Sequence, residues 1–208
     1  LLIKCYKQII EKDYDIYIID SHVKYDLDLS CINQKELSEI YKYKQYYDRY
    51  KRILSRCFLY KFLKKNGYEK RFLNFDYNDF KRPFLLDNKF KFSFSYSDKY
   101  ILVAISNSVK ELGADIENTQ NNIDINLLYR EVMSIEEIKY FESLIGNVNK
   151  QKFFYDVWTI KESYVKALGE GLFIDVKSLD IFDLQKKECI KKYDLDTDYK
   201  IAITIIHA

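Results

Sequence analysis

The stretch Lys89 to Ser97, KFKFSFSYS, alternates polar and aromatic residues without a break, and no other segment constrains the fold as tightly. A strand points successive side chains to opposite faces, so Phe90, Phe92, Phe94 and Tyr96 share one face and require a core to cover it. Asp98-Lys99 then reads as a turn, and YILVAIS, Tyr100 to Ser106, as a second strand. A third strand, ELGADIE, is expected to pair with YILVAIS as an antiparallel hairpin through Asn107 to Lys110.

Other segments fill in around these strands. YDIYIID, Tyr14 to Asp20, reads as a first strand. Tyr41 to about Lys65 reads as one long basic amphipathic helix with Ile53, Leu54, Cys57 and Phe58 inward, stopped by Asn66-Gly67. A helix is expected around Leu127 to Leu144, and SLDIFDL and YKIAITIIHA read as closing strands. Helices and strands mix without regular βαβ alternation, which points to an α+β fold. The halves divide near residue 107, giving expected units 1–107 and 108–208.

The segment VWTIKESYVKALGEGL, Val157 to Leu172, reads as a helix with a lysine inside its apolar face. At 100° per residue, Phe153, Phe154, Val157, Trp158, Ile160, Tyr164, Val165 and Leu168 fall on one side. Asp156, Thr159, Ser163 and Lys166 fall on the other. Lys161 points between Leu168 and Phe154, so it must snorkel to water or face something negative.

Composition narrows the function. The apolar fraction of 48% and charged fraction of 32% are those of a folded domain rather than a disordered chain. A net charge of +2 gives no global case for nucleic-acid binding. No apolar run reaches membrane-span length, and lysines break LLIKCYKQII too early for a signal peptide, so neither nucleic acid nor membrane is an expected partner. The four cysteines form no CxxC pair and read as free thiols in a reducing, cytoplasmic setting. Both histidines, His22 and His207, lie near the ends, which disfavours a Ser/His/Asp apparatus or a histidine-rich zinc site. The chain has only 5 glycines, and Gly113, Gly169 and Gly171 all fall in the segments singled out here, which suggests backbone roles.

In GADIE, Asp115 and Glu117 share a strand face and suit a hard divalent cation; the plainer reading is two solvated charges on an edge strand. Glu162 would complete a set of three carboxylates, with Lys166 one turn on; the plainer reading is a surface ion pair. The basic helix carries Lys42, Lys44, Arg49, Lys51, Arg52 and Arg56, which is either a solvated face or an anion site. KRP, Lys81 to Pro83, is either a turn or a means of aiming Arg82 at an anion.

Taken in order, KRP, FSFSYS, GADIE and WTIKESYVKALGEGL resemble the motifs of 4′-phosphopantetheinyl transferases of the larger, surfactin-synthetase-activating type. That family shows a G-K-P-like turn, F-N-x-S-H-S, G-[IV]-D-[IV]-E and W-x-x-K-E-[SA]-x-x-K-x-x-G-x-G-[LF]. The resemblance runs from about Tyr41 onward. It implies two similar α+β subdomains, each a helix on a small antiparallel sheet, related by pseudo-twofold symmetry, in a monomer with the coenzyme between the halves. It further implies magnesium held by Asp115, Glu117 and Glu162, and coenzyme A as the group donor. The acceptor would be a serine of an acyl- or peptidyl-carrier protein of fatty-acid, polyketide or nonribosomal peptide synthesis. Glu162 and Lys166 would be catalytic, the first assisting deprotonation of the serine and the second contacting phosphate. Lys44, Lys51, Arg82, Ser95, Tyr96 and Lys161 would join Lys166 in binding the coenzyme, with Lys161 alternatively capping a backbone acceptor. Two departures stand out: Tyr96 replaces the family histidine, and Lys81-Arg82 replaces Gly-Lys. A magnesium-dependent nuclease and a non-catalytic carrier-binding module are the competing readings.

Overall fold

The computed structural model describes residues 3–80, 82–86, 89–121, 123–169, 174–187 and 189–207, and the chain divides into two compact units, Leu1–Ser108 and Val109–Ala208. Both are α+β. Lys81 and Gly171 lie outside the described residues. Among the described residues no helix is long and apolar enough to cross a membrane.

The N-terminal unit is built on a four-stranded antiparallel sheet of order β1-β2-β6-β5, with β1 Lys7–Ile10, β2 Asp15–Asp20, β5 Lys91–Ser97 and β6 Tyr100–Ser106. The aromatic alternation of β5 is realised: Phe92 stacks toward Phe94 and Phe94 toward Tyr96 along one face. Asp98 turns the hairpin with φ of 47°, a left-handed conformation that Asp tolerates better than most residues. A two-stranded ribbon, β3 Phe75–Tyr77 with β4 Pro83–Leu85, lies outside this sheet.

Two helices, not one, cover the core: α1 Gln34–Tyr41 and α2 Tyr46–Lys65. The expected single helix from Tyr41 is broken over Lys42–Gln45, so Lys44 sits in a connection. From α2, Leu54, Cys57, Phe58, Leu59 and Leu63 pack with Tyr17, Ile19, Phe92, Ile101, Val103 and Ile105 of the sheet. Within that core the Cys31 and Cys57 sulfurs are 3.4 Å apart as free thiols.

Arg56, expected on the basic face, is instead buried. Its Nε donates to Glu36 Oε1 at 2.9 Å, and one terminal nitrogen donates to Tyr96 Oη at 2.6 Å and Ser55 Oγ at 3.2 Å. Tyr77 donates to the other Glu36 oxygen. Ser55 uses its own proton on the Arg52 carbonyl at 2.8 Å, so at the 2.9 Å contact between Ser55 and Tyr96 the phenol is the donor. The cluster is closed on itself, which is the condition under which a buried ion pair is tolerated.

The C-terminal unit holds a three-stranded antiparallel sheet of order β7-β9-β8, with β7 Glu111–Asn118, β8 Ile190–Leu195 and β9 Tyr199–Ile206. The expected hairpin between YILVAIS and ELGADIE does not form. Both edges of β6 are taken, by β2 and β5, and β7 pairs with β9. The helix expected over Leu127 to Leu144 is two, α3 Ile125–Val132 and α4 Ile135–Ser143, because Ser134 opens α4 with a reciprocal capping box to Glu137. SLDIFDL is not a strand either. Asp180 caps a short helix, α6 Ile181–Lys186, which follows a 3₁₀ turn at Val176–Ser178.

Helix α5, Asn147–Leu168, runs between the sheet and these smaller helices. Phe154, Val157 and Ile160 pack with Val132, Met133, Phe141, Ile181 and Leu184. Its opposite side, expected to face water, is buried at Thr159 and Ser163, whereas Leu168 is exposed. Thr159 and Ser163 donate to the helix carbonyls of Tyr155 and Ile160, each at 2.8 Å, so their burial leaves no hydroxyl unsatisfied. The contact with the sheet is made at Gly113. A Cβ on that residue would stand 1.9 Å from the Ser163 carbonyl oxygen and 2.4 Å from the Ala167 nitrogen, both backbone atoms. Gly169 ends the helix at φ of 76°, a left-handed cap suited to glycine.

Two outcomes are expected. Gly113→Ala should destabilise the protein by at least about 1–3 kcal/mol, the usual cost of overpacking, because helix or strand backbone has to move. A lowered denaturant midpoint checks this, and an unchanged midpoint would contradict the contact. Arg56→Met should cost about 3–5 kcal/mol by stranding the Glu36 carboxylate, and the double variant Arg56→Met/Glu36→Gln should recover most of it. The same unfolding measurement distinguishes the pair from either residue alone.

Candidate active site

The close approach at Gly113 sets the geometry of the acidic site. Gly113, Asp115 and Glu117 share one face of β7. Glu162 and Lys166 each precede by one residue the Ser163 and Ala167 that touch Gly113, so they flank the contact line on α5. Lys166 Nζ lies 2.6 Å from Asp115 Oδ1. Asp115 is buried, and its partner across the ladder is Ala202, whose methyl group leaves the space above Asp115 to α5.

Burial works against the Lys166 charge, but Asp115, Glu162 and Glu117 together outweigh it and hold the ammonium above its usual range. Burial pushes the Glu162 carboxyl above the ordinary carboxylate range; Lys166 opposes that shift and Asp115 adds to it. Burial also raises the Tyr155 phenol, with Glu117 contributing. Asp115, Glu117 and Glu162 therefore all act on Lys166 across two elements.

The donor set suits a hard divalent cation. It is all oxygen, and its three carboxylates are balanced by a single ammonium from Lys166. Lys200, opposite Glu117 in the ladder, is engaged by Asp194 at 2.8 Å and Asp156 at 3.3 Å. Among the described residues, no three acidic, cysteine or histidine side chains converge as metal ligands, and Asp115 Oδ1 is in contact with Lys166.

Of the two expectations for Lys161, the structure shows the backbone cap and not the reach to a coenzyme: its side chain is 2% exposed, and its ammonium meets Glu137 Oε2 at 2.7 Å and donates to the Val132 and Val176 carbonyls at 2.8 and 2.9 Å. The three protons of an ammonium are thus all used internally. Burial lowers its pKa even though Glu137 pulls the other way.

The remaining expected residues belong to the N-terminal unit. Tyr96 has its proton directed to Ser55 while accepting from Arg56, so its hydroxyl is not the outward donor that was expected. Lys51 is mostly buried, with its ammonium 3.4 Å from the Asp98 carbonyl, 3.8 Å from Asp48 and 5.0 Å above the Tyr47 ring. It braces α2 against the β5–β6 turn. Lys44 is exposed, Ser95 is buried on β5, and Arg82 is half-buried at the start of β4, its backbone held by the Asn78 side chain.

Two residues escaped the sequence reading. Glu137 has a signal in the Ser134-x-x-Glu137 capping pattern. Glu36 has one in Asn33-x-x-Glu36, whose cap forms at 2.8 Å, but its partner Arg56 is fixed only by tertiary packing.

The family model described as the 4′-phosphopantetheinyl transferase superfamily matches residues 111–207. The chain is 30% identical over 187 residues to the 4′-phosphopantetheinyl transferase gsp of Aneurinibacillus migulanus, covering 84% of this chain and 71% of that protein. It is 32% identical over 110 residues to the 4′-phosphopantetheinyl transferase HetI of Nostoc sp., covering 51% of this chain and 46% of HetI. It is 27% identical over 129 residues to the 4′-phosphopantetheinyl transferase Sfp of Bacillus subtilis, covering 56% and 55%. The matched segments thus span about half the length of HetI and of Sfp. Joined to an acidic strand and a lysine-bearing helix held at one glycine contact, these similarities establish that the chain belongs to the 4′-phosphopantetheinyl transferase superfamily.

Proposed function

We propose that this 4′-phosphopantetheinyl transferase moves the 4′-phosphopantetheine group of coenzyme A onto a serine of an acyl- or peptidyl-carrier protein. The observation that carries the reading is the contact of Lys166 with Asp115 at 2.6 Å, across 51 residues of sequence, with Glu162 and Glu117 near enough to raise the pKa of the same ammonium. In the reaction the serine oxygen forms a bond to the phosphorus next to pantetheine. The bond from that phosphorus to the bridging oxygen breaks, and 3′,5′-adenosine bisphosphate leaves with the electron pair.

Each side chain has a task in this scheme. Asp115, Glu117 and Glu162 would hold a magnesium ion, whose contribution is to neutralise charge on the pyrophosphate oxygens. Lys166, kept fully charged by its carboxylate neighbours, places a fixed positive charge beside the phosphates. Glu162 takes the serine proton, directly or through a water. Lys44 and Arg82 are the candidates of the N-terminal unit for the adenosine phosphates; Lys51 is engaged at the β5–β6 turn.

The carrier protein calls for a different surface. On α3, Leu127 is 75% exposed and Leu128 is also exposed, with Ile123 exposed just before the helix. This apolar strip suits a carrier helix, and carriers of this kind are usually acidic, so flanking basic groups would add attraction over distance.

Asp115→Asn, Glu117→Gln and Glu162→Gln should each lower transfer at least about 100-fold, the scale seen when one preorganised charged contact is removed. Melting temperatures for Glu117→Gln and Glu162→Gln should hold or rise, because each relieves repulsion within the cluster. Mass spectrometry of an apo carrier incubated with coenzyme A and magnesium measures the transfer; near wild-type turnover in any one variant at saturating magnesium would sink the scheme. Leu127→Asp should raise the Michaelis constant for the carrier and leave that for coenzyme A within about two-fold, and added salt should also raise the carrier constant. A carrier constant indifferent to both would remove α3 from the docking surface.

A further inference from the structure

We infer that Glu137, acting through Lys161, is a positioning residue that fixes the rotation of α5 and so the placement of Glu162 for transfer. The inference rests on the proposed function for what Glu162 does, and on the following geometry for how it is held. Lys161 is among the largest fully buried side chains of the protein, and Glu137 is completely inaccessible. The ammonium is a junction of separate segments: the end of α3 through Val132, the 3₁₀ turn through Val176, and the first turn of α4 through Glu137.

The Glu137 carboxylate extends the junction. Its Oε1 accepts the Ile181 N–H at 2.7 Å, where α6 begins, and its Oε2 accepts the Ser134 N–H at 2.7 Å. Ser134 donates its hydroxyl to Asp180 Oδ2 at 2.5 Å, and Asp180 caps α6 by accepting the Phe182 N–H at 2.8 Å. Four segments of the C-terminal unit therefore close on one point of α5, and that point is the residue before Glu162.

The helix is thus gripped from two directions. Gly113 sets how near α5 comes to the sheet. Gly113 itself offers no side chain to turn against, so on the sheet side rotation is held by the Ser163–Thr204 hydrogen bond at 2.9 Å and the Lys166–Asp115 pair at 2.6 Å. Lys161 supplies the matching constraint from the helical layer, at the residue next to Glu162. With side-chain ends about 5–6 Å from the axis, a turn of about 10° would move the Glu162 carboxylate by about 1 Å. A displacement of that size can cost about 100-fold in rate. An apolar side chain would fill the same volume without fixing the angle, so satisfying the buried charge and positioning the neighbour are separable.

The test is the isosteric double variant Lys161→Met/Glu137→Gln, which removes both charges together and so leaves no stranded ion. Its melting temperature should fall, because the Val132 and Val176 carbonyls lose their donor and the amide at position 137 offers one acceptor to two N–H groups, so kcat and exchange are read well below the transition. Its Michaelis constants for coenzyme A and carrier should stay within about two-fold, while kcat falls about 10- to 100-fold. Amide hydrogen exchange in the protein without added ligand should accelerate over residues 159–166 more than over β7 and β9. A double variant that keeps wild-type kcat would overturn the inference, as would uniform exchange across the unit. Should the double variant fail to fold, Lys161→Arg carries the same readouts: it keeps the charge but not the point geometry, and normal kcat there would equally overturn it. If the wild type transfers no phosphopantetheine at all, the functional reading fails, and the exchange pattern alone decides whether the junction fixes this turn of α5.

Discussion

One missing side chain governs the C-terminal unit. The backbone of α5 lies so close to β7 that a single methyl group at position 113 would overlap the Ser163 carbonyl. Everything acidic in the site follows from this approach. Were the helix lifted by the width of a side chain, Lys166 would no longer span to Asp115 at 2.6 Å, and the two-residue step of the strand would aim Asp115 and Glu117 at solvent. The small residues Ser163 and Ala167 on the helix side complete the fit, and Ser163 is further tied to Thr204, which pairs with Gly113 in the ladder.

The N-terminal unit depends on a different device. Its helix α2 looks cationic along its length, but the cation at position 56 is turned inward and neutralised by Glu36, with Tyr96 and Ser55 completing its coordination and Tyr77 donating to Glu36. Burial works against the Arg56 charge, yet the surrounding oxygens hold it firmly protonated. The guanidinium also lies 4.7 Å over the Phe94 ring, so the aromatic face of β5 serves as both core and cation platform. The network joins α1, α2, β3 and β5 and explains why a tyrosine, with one acceptor and one donor, sits at position 96.

Much of this was legible in the sequence, in proportion to how local the determining forces are. The β5–β6 hairpin and the long α5 helix follow from period and turn residues alone. The grouping of Asp115 and Glu117 follows from strand geometry, and Glu162 with Lys166 from helix spacing. Where the reading failed, the cause was a partner distant in sequence. YILVAIS does not pair with ELGADIE because β2, which arrives from far upstream, fills the edge that the hairpin would need. Thr159 and Ser163 resemble a solvent face by polarity, but each spends its proton on its own helix and can be buried. Lys161 posed the right question, and only tertiary structure supplies the acid that answers it.

The strand order β7-β9-β8 has a consequence for how the protein is made. The strand bearing Asp115 and Glu117 is synthesised early in its unit, but its ladder partner is β9: Glu111 faces Ile206 and Asn118 faces Tyr199. Strand β9 also receives β8 on its other edge. On the ribosome, the acidic strand therefore emerges without a neighbour to pair with and must wait while the α3–α6 helices appear. The central strand is the last laid down, and its arrival closes both edges at once. Sheet formation in this unit is in that sense a checkpoint on synthesis: a nascent chain interrupted before residue 199 carries every acidic residue of the site and none of the ladder that aligns them.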